Sequence, residues 1–524
     1  MDKQVWKNSV LIVSALIIVI LVVVGALMPE AFGDVAGRLF EWTTRLFGWF
    51  YLLAVLMIIL FLAGLAISKY GTIRLGGEDE RPEFSFFSWI GMLFSAGFGV
   101  GLVFWGVAEP ASHFFSTPFR GTEPLTEEAA RIAMGYSFFH WGVSQWAIFA
   151  IVGLAIGFMQ FRKKKDGRVS TALTPVLGDR PAVRSAIDNL AVVATVMGIA
   201  TSIGLGIMQM SGGLDAVFRT GQSFVVQTIL IAAVFILYML SSTSGLDKGM
   251  KYLSTLNLAL ALAALLFILV TGPTVFIMES FTLAIGDYVT NFVQYSLRLQ
   301  PYVGGTWIRD WTIFYWAWAI AWSPFVGGFV ARVSRGRTIR EFIIAVMVIP
   351  PAIACLWIAA FGGTALWKDL NEGAGIAAAV DADLTSALFV LYEHLPFTTI
   401  LSVGSILLIL TFLVTSADSA TFILASMTSY GSMDPPKYAK YVWGVLMSAI
   451  AGVLLYAGGL EALQTASLVA ALPFTVVLLL MVAAIVRLLR HEPLPIRKAD
   501  LRRFRRLEEA SSKASRKQDK GKGN

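Results

Sequence analysis

Three groups of residues in this 524-residue chain have the types and spacing to do chemistry, and all three lie in apolar surroundings. The first is GMLFSAGFGVGLVFWGVAEP, residues 91–110, in which Gly97, Gly99 and Gly101 alternate with Phe98 and Val100. Gly97 and Gly101 have the small-x-x-x-small spacing of closely packed helices. Three alternate glycines, however, weaken a turn well beyond what packing requires, and we read this turn as unwound. An unwound turn inside a membrane exposes carbonyls and amides, which are tolerated only where they line a cavity or bind something.

The second group is aromatic. Trp141, Trp146 and Phe149 stand in HWGVSQWAIF, and Trp311, Phe314, Tyr315, Trp316, Trp318, Trp322 and Phe325 in WTIFYWAWAIAWSPFVGGFV, residues 311–330. Trp318, Trp322 and Phe325 repeat at i, i+4, i+7 and share one helical face, and Trp146 and Phe149 share another. Such rings serve core packing, or they form a dry cage whose faces hold a quaternary ammonium that has no N–H to donate. The third group is TFLVTSADSAT, residues 411–421. Thr415 and Ser416 offer hydroxyl oxygens and Asp418 a carboxylate, and with nearby carbonyls they make an oxygen shell for a hard cation such as Na⁺; interhelical hydrogen bonding is their other use.

Other chemistry has little to work with. The lone Cys355 excludes an internal disulfide, and among four histidines there is no H-E-x-x-H; G-x-S-x-G and phosphate-loop motifs are also missing. An enzyme, an ATP-driven pump, an organic cofactor and a nucleic-acid partner are therefore not expected.

The elements that must position these groups are membrane helices, since 57% of the residues are hydrophobic and only 14% charged. Crossing the hydrocarbon takes roughly 20 apolar residues, and such runs fall near 10–28, 47–68, 88–107, 135–160, 189–212, 224–242, 252–275, 309–331, 342–362, 397–420, 439–459 and 464–487. The expected class is an all-α polytopic membrane protein with about twelve transmembrane helices. With both termini in the cytoplasm, the Lys/Arg-rich segments 69–87, 161–188 and 332–341 and the tail share the inner side. The tail, 488–524, contains RKADLRRFRR, which either binds anionic lipid or is simply solvated.

Two spans carry internal breakers: the glycine stretch, and the eighth span, where Pro324 removes a backbone donor and Gly327–Gly328 weaken the turn after it. Each opens a block of five spans, 88–275 and 309–487. Five is odd, so the blocks enter from opposite sides, which is the arrangement of an inverted-repeat transporter. Residues 1–87 hold two peripheral helices. Between the blocks, 276–308 is expected to hold an amphipathic surface helix, with Ile285, Tyr288, Val289, Phe292 and Leu299 inward and Asp287, Asn291 and Arg298 elsewhere.

Together, AGFGVGLVFWGVAEP, FHWGVSQWAIFAIVGLA, TIFYWAWAIAWSPFVGGFVARVSRGRTIREF and LVTSADSAT resemble the betaine/choline/carnitine transporter family in order and spacing. The resemblance implies a leucine-transporter-like five-plus-five repeat behind two extra helices. It also implies a homotrimer in the bacterial plasma membrane that takes up a small osmolyte for osmoprotection. Carried over, Gly97, Phe98, Gly99 and Gly101 line the solute beside Trp141, Trp146, Phe149, Trp318, Ala319, Trp322 and Phe325. Phe98, Phe412, Thr415 and Ser416 match the positions that bind Na⁺, and Thr195 matches one ligand of a second Na⁺, whose partner position here is Ile199. Gly101 stands where proton-coupled choline carriers have an acid, which favours Na⁺ as coupling ion. Ala319 replaces a usual tryptophan and Phe149 a usual tyrosine. The function implied is Na⁺ symport of a zwitterionic or quaternary-ammonium solute, glycine betaine first, with ectoine, proline, or sodium-independent exchange of carnitine-type amines as alternatives.

Overall fold

A computed structural model describes residues 9–494, except 98, 120, 245–246, 303 and 433 and the side chains of 94–97, 244 and 247–251. Phe98 and the basic stretch of the tail thus lie outside the described residues. The described chain is helical, in the order α1 (Ser9–Leu27), α2 (Pro29–Ile67), α3 (Phe86–Gly97), α4 (Val100–Phe115), α5 (Glu127–Trp141), α6 (Val143–Gly157), α7 (Val169–Leu177), α8 (Pro181–Phe218), α9 (Phe224–Ser244), α10 (Asp247–Thr271), α11 (Thr274–Ser296), α12 (Phe314–Val333), α13 (Ile339–Glu372), α14 (Ile376–Ala382), α15 (Ala387–Glu393), α16 (Thr398–Met427) and α17 (Lys437–Arg490). Ten helical stretches among the described residues are long and apolar enough to cross a bilayer. The 54 residues of α17 would extend about 80 Å if straight, but Gly459, at φ +57° and ψ −130°, folds them into two spans. The α3–α4 pair covers the remaining apolar run that hydropathy marks, 88–107.

Burial separates core from periphery. In the most apolar window of α5–α6, 94% of residues are buried, against 28% in α1, 17% in α9 and 22% in α10. The outer helices turn large apolar side chains such as Leu16, Leu53, Ile236 and Leu266 to the surface, as a lipid-facing shell does. Inside, α12 packs on α6, α8 and α17, and α4 packs on α5, α8 and α13. At the Lys/Arg-rich end, Arg340 Nε donates to the carbonyl of Ala66 at 2.7 Å, closing the last turn of α2. Thr338 and Glu341 form a reciprocal cap at the start of α13.

The glycine stretch is interrupted as read: α3 stops at Gly97, and Gly99 is extended, with φ −149° and ψ −179°, before α4 begins. The eighth span is not. Helix α12 runs unbroken through Pro324 and Gly327–Gly328. Proline leaves the carbonyl four residues earlier without its main-chain donor, and the Ser323 hydroxyl supplies one, donating to Ile320 O at 2.7 Å. Gly327 serves contact instead: a Cβ there would lie 2.6 Å from the Cβ of Val152 on α6.

Two further details differ from expectation. The fourth span breaks between α5 and α6 at Gly142, and the orphaned N–H of Val143 donates to the Tyr288 hydroxyl at 2.9 Å. Helix α11 does lie between the blocks, but its inward face runs through Ile277, Phe281, Ala284, Tyr288, Phe292 and Tyr295, while Ile285, Val289 and Leu299 are exposed. Both faces of α11 are apolar, so spacing alone does not identify the one that meets protein.

Candidate solute and cation sites

The break at Gly99 opens on the aromatic residues. One cavity of about 40 Å³ is lined by Gly99, Gly101, Trp141, Gln145, Trp146, Phe149, Ile199, Ser202, Ile203, Trp318, Trp322, Phe325, Leu413 and Ser416, among others, and no charged side chain is on that lining. Its rings form a continuous wall. Trp141 meets Trp318 edge to face at 6.3 Å, Trp318 stacks on Trp322 at 6.3 Å, and Phe149 bridges Trp146 at 5.4 Å and Trp322 at 5.9 Å. Gly101, already inside α4, serves close contact, because a Cβ there would stand 2.5 Å from the Trp318 ring and 3.3 Å from that of Trp141.

Behind this wall sits a buried carboxylate. Glu109 accepts at Oε1 from His140 Nδ1 (2.6 Å) and His113 Nε2 (3.2 Å), and at Oε2 from Trp141 Nε1 (2.9 Å) and the Tyr315 hydroxyl (2.5 Å). The Thr312 hydroxyl in turn meets His140 Nε2 at 2.9 Å. Four donors fill the lone-pair directions of a carboxylate, and a charged group is kept inside a membrane only when so satisfied. Glu109, His113 and His140 lie close enough to share a metal, with donor atoms within 4.8 Å. The same carboxyl group also holds the Trp141 indole N–H, so we read the cluster as the anchor of that ring.

A second cavity, of about 160 Å³, shares Gly99, Trp322, Phe325 and Ser416 with the first and adds Asn257, Phe412, Thr415 and Ser419. Here the donor set is all oxygen. The Thr415 hydroxyl is 3.1 Å from the carbonyl of Phe412 and 3.1 Å from Asn257 Nδ2, while the buried Asn257 Oδ1 has no hydrogen bond. Neutral oxygens with one carbonyl-type acceptor unused suit a hard monovalent cation. Further toward the Lys/Arg-rich end, a third cavity of about 250 Å³ is lined by Arg168, Arg332 and Ser426. Beside it, Asp166 is half-buried, which raises its pKa, yet hydrogen bonds from Arg168 and Thr171 outweigh this and hold it below the usual carboxylate range.

Comparison with known proteins decides what this arrangement belongs to. The family model described as BCCT, betaine/carnitine/choline family transporter, matches residues 9–494. The chain belongs to this family. An ectoine/hydroxyectoine transporter of Virgibacillus pantothenticus is 60% identical over 489 residues, covering 93% of this chain and 98% of that one. The glycine betaine transporter OpuD of Bacillus subtilis (strain 168) is 49% identical over 482 residues, 91% and 93% of the two chains. A probable glycine betaine transporter of Desulfitobacterium hafniense (strain Y51) is 45% identical over 496 residues, 94% and 99%. This BCCT chain is thus a multi-pass membrane transporter of compatible solutes and not an enzyme.

Of the residues expected in the BCCT solute site, Gly99, Gly101, Trp141, Trp146, Phe149, Trp318, Trp322 and Phe325 meet at the first cavity, and Phe412, Thr415 and Ser416 at the second. Gly97 ends α3 beside the break. Two do not join them. Ala319 is 1% exposed but off the lining, so its small side chain leaves no gap in the ring wall. Thr195 is buried with its hydroxyl on Ala191 O at 2.7 Å, away from both cavities. Reading by motif passed over Glu109, His140, Gln145, Asn257 and Gly142. For Glu109 a signal existed, since an acid within an apolar span marks a functional position by default.

Proposed function

We propose that the protein is a Na⁺-coupled symporter that brings a small zwitterionic compatible solute into the cell, with ectoine-type cyclic zwitterions as its preferred cargo. The observation that supports this best is the uncharged aromatic wall built against a broken helix, one cavity away from an all-oxygen donor set. Rings attract a cationic head group without an ion pair, and free carbonyls and amides at the break receive a carboxylate or a cation. Phe412 O, Thr415 Oγ1 and Ser416 Oγ would hold the sodium ion, which supplies the driving gradient. Gly99 and Ser416 border both cavities, so filling one changes the shape of the other. The 60% identity with an ectoine/hydroxyectoine transporter favours ectoine, and the 49% identity with OpuD makes glycine betaine the second reading.

In this reading both termini are cytoplasmic and α3 to α10 and α12 to α17 form the two inverted five-span blocks. The protein assembles as a homotrimer, and the basic tail lies on anionic lipid. The test is solute binding to purified full-length protein, followed by tryptophan fluorescence in Na⁺ and in K⁺. Ectoine should bind in Na⁺ and at least about tenfold more weakly in K⁺, a difference of roughly 1.4 kcal/mol. The doubly substituted Thr415→Ala, Ser416→Ala protein should lose that difference. Equal binding in both salts would reject sodium coupling, and binding of carnitine with no ectoine binding would favour the exchanger.

A further inference from the structure

Gln145 sits in the first turns of α6, 4% exposed, among the rings of the solute cavity. Its Oε1 is buried and makes no hydrogen bond. Elsewhere on that lining, the Ser202 hydroxyl is spent on Gly198 O at 3.3 Å, and Ser416 borders the oxygen-lined cavity. A buried amide oxygen left unpaired is unfavourable, and native structures keep few of them. In a cavity built to hold a solute, the complement of such an atom is an N–H on that solute. A fully methylated ammonium has none and would leave Oε1 unpaired after binding. A protonated ring nitrogen, as in a cyclic amidine or an imino acid, would satisfy it while its charge still meets the indole faces.

We propose that Gln145 is the specificity-determining residue of this site, its side-chain oxygen accepting a hydrogen bond from a solute N–H, so that the cavity prefers zwitterions bearing an N–H cation over fully N-methylated ones. The inference rests on the proposed zwitterion uptake and names the chemical class taken. Sites that hydrogen-bond their substrate reject analogues lacking the partner far more strongly than apolar pockets do, so the preference should amount to about tenfold or more.

The test uses the full-length protein in proteoliposomes under one fixed inward Na⁺ gradient. Half-saturation is measured for ectoine and glycine betaine in the wild type, Gln145→Leu and Gln145→Glu, with proline and its N,N-dimethyl form as a matched pair of competitors. The wild type should favour the N–H member of each pair. Q145L should reduce that selectivity ratio at least about tenfold, and Q145E, which keeps an acceptor and lacks the amide donors, should restore part of it. Thermal unfolding monitors the fold, and Q145M replaces Q145L if the latter is not recovered. A ratio unchanged in Q145L would overturn the inference. So would Q145E behaving like Q145L with both solutes weakened alike, because the amide would then be gripping the carboxylate common to both. Wild-type vesicles that take up neither solute would overturn the proposed function, and this inference with it, before any variant is compared.

Discussion

At the scale of single residues, the solute cavity depends on one missing side chain and one buried carboxyl group. Gly101 lets the Trp318 and Trp141 rings close over the start of α4. Gly101→Ala places a methyl 2.5 Å from Trp318, and overpacking of this kind costs about 1–3 kcal/mol. The rings would have to turn, so ectoine affinity measured by tryptophan fluorescence should fall tenfold or more while the protein still folds. Glu109 acts from behind. Glu109→Ala orphans the Trp141 and Tyr315 donors and both histidines, and each unpaired buried group costs about 1–3 kcal/mol. A large drop in thermal unfolding temperature is expected. Glu109→Gln keeps the shape and an acceptor, and should retain most stability while loosening Trp141; a loss as large as that of Glu109→Ala would show that one acceptor oxygen cannot stand in for the carboxyl group.

At the scale of elements, two helices tolerate breakers by opposite means. Helix α12 keeps its course because Ser323 supplies the donor that Pro324 lacks. Ser323→Ala should therefore destabilise the protein by about 1 kcal/mol, and the loss should nearly vanish in a Pro324→Ala background, where a main-chain N–H returns. A thermal double-mutant cycle reads this directly. The α5–α6 joint, in contrast, is a true break held by Tyr288 from α11; Tyr288→Phe leaves the Val143 N–H unpaired and should weaken both stability and solute binding. The spans themselves were legible in the sequence, because hydropathy and length report the membrane directly. The break at Gly99 was legible because three glycines act together. The continuity of α12 was not, since a proline signals a lost bond but not the neighbouring hydroxyl that replaces it. Nor was the side of Ala319 or Thr195: when every face of a helix is apolar, periodicity cannot separate cavity, protein and lipid, and Gln145 likewise showed no motif.

At the scale of the whole molecule, the root of the tail is tied to the helix that carries Trp146 and Phe149. Arg162, in the π-helical turn that ends α6, donates to Glu492 at 2.8 Å, and Lys163 pairs with the same carboxylate. Burial raises the Glu492 pKa, but hydrogen bonds from Lys163 and Arg162 outweigh it, so the value lies below the ordinary 4.5. A lowered folded-state value means that this stabilisation is complete above the ordinary pKa and fades as pH falls through the folded one. Glu492→Gln should therefore unfold at lower temperature than wild type at neutral pH, and the difference should close as the pH falls through the lowered folded-state pKa. A difference that persisted in acid would mean that Glu492 contributes through packing and not charge.

We expect ring wall and oxygen set to work together, one holding the solute and the other the ion. Uptake of labelled ectoine into proteoliposomes, with the Na⁺ gradient imposed, abolished or replaced by K⁺, tests it most directly. Accumulation above equilibrium is expected only with the inward Na⁺ gradient, competed by glycine betaine and lost in the Thr415→Ala, Ser416→Ala protein. Accumulation indifferent to Na⁺, or exchange only against internal solute, would contradict it.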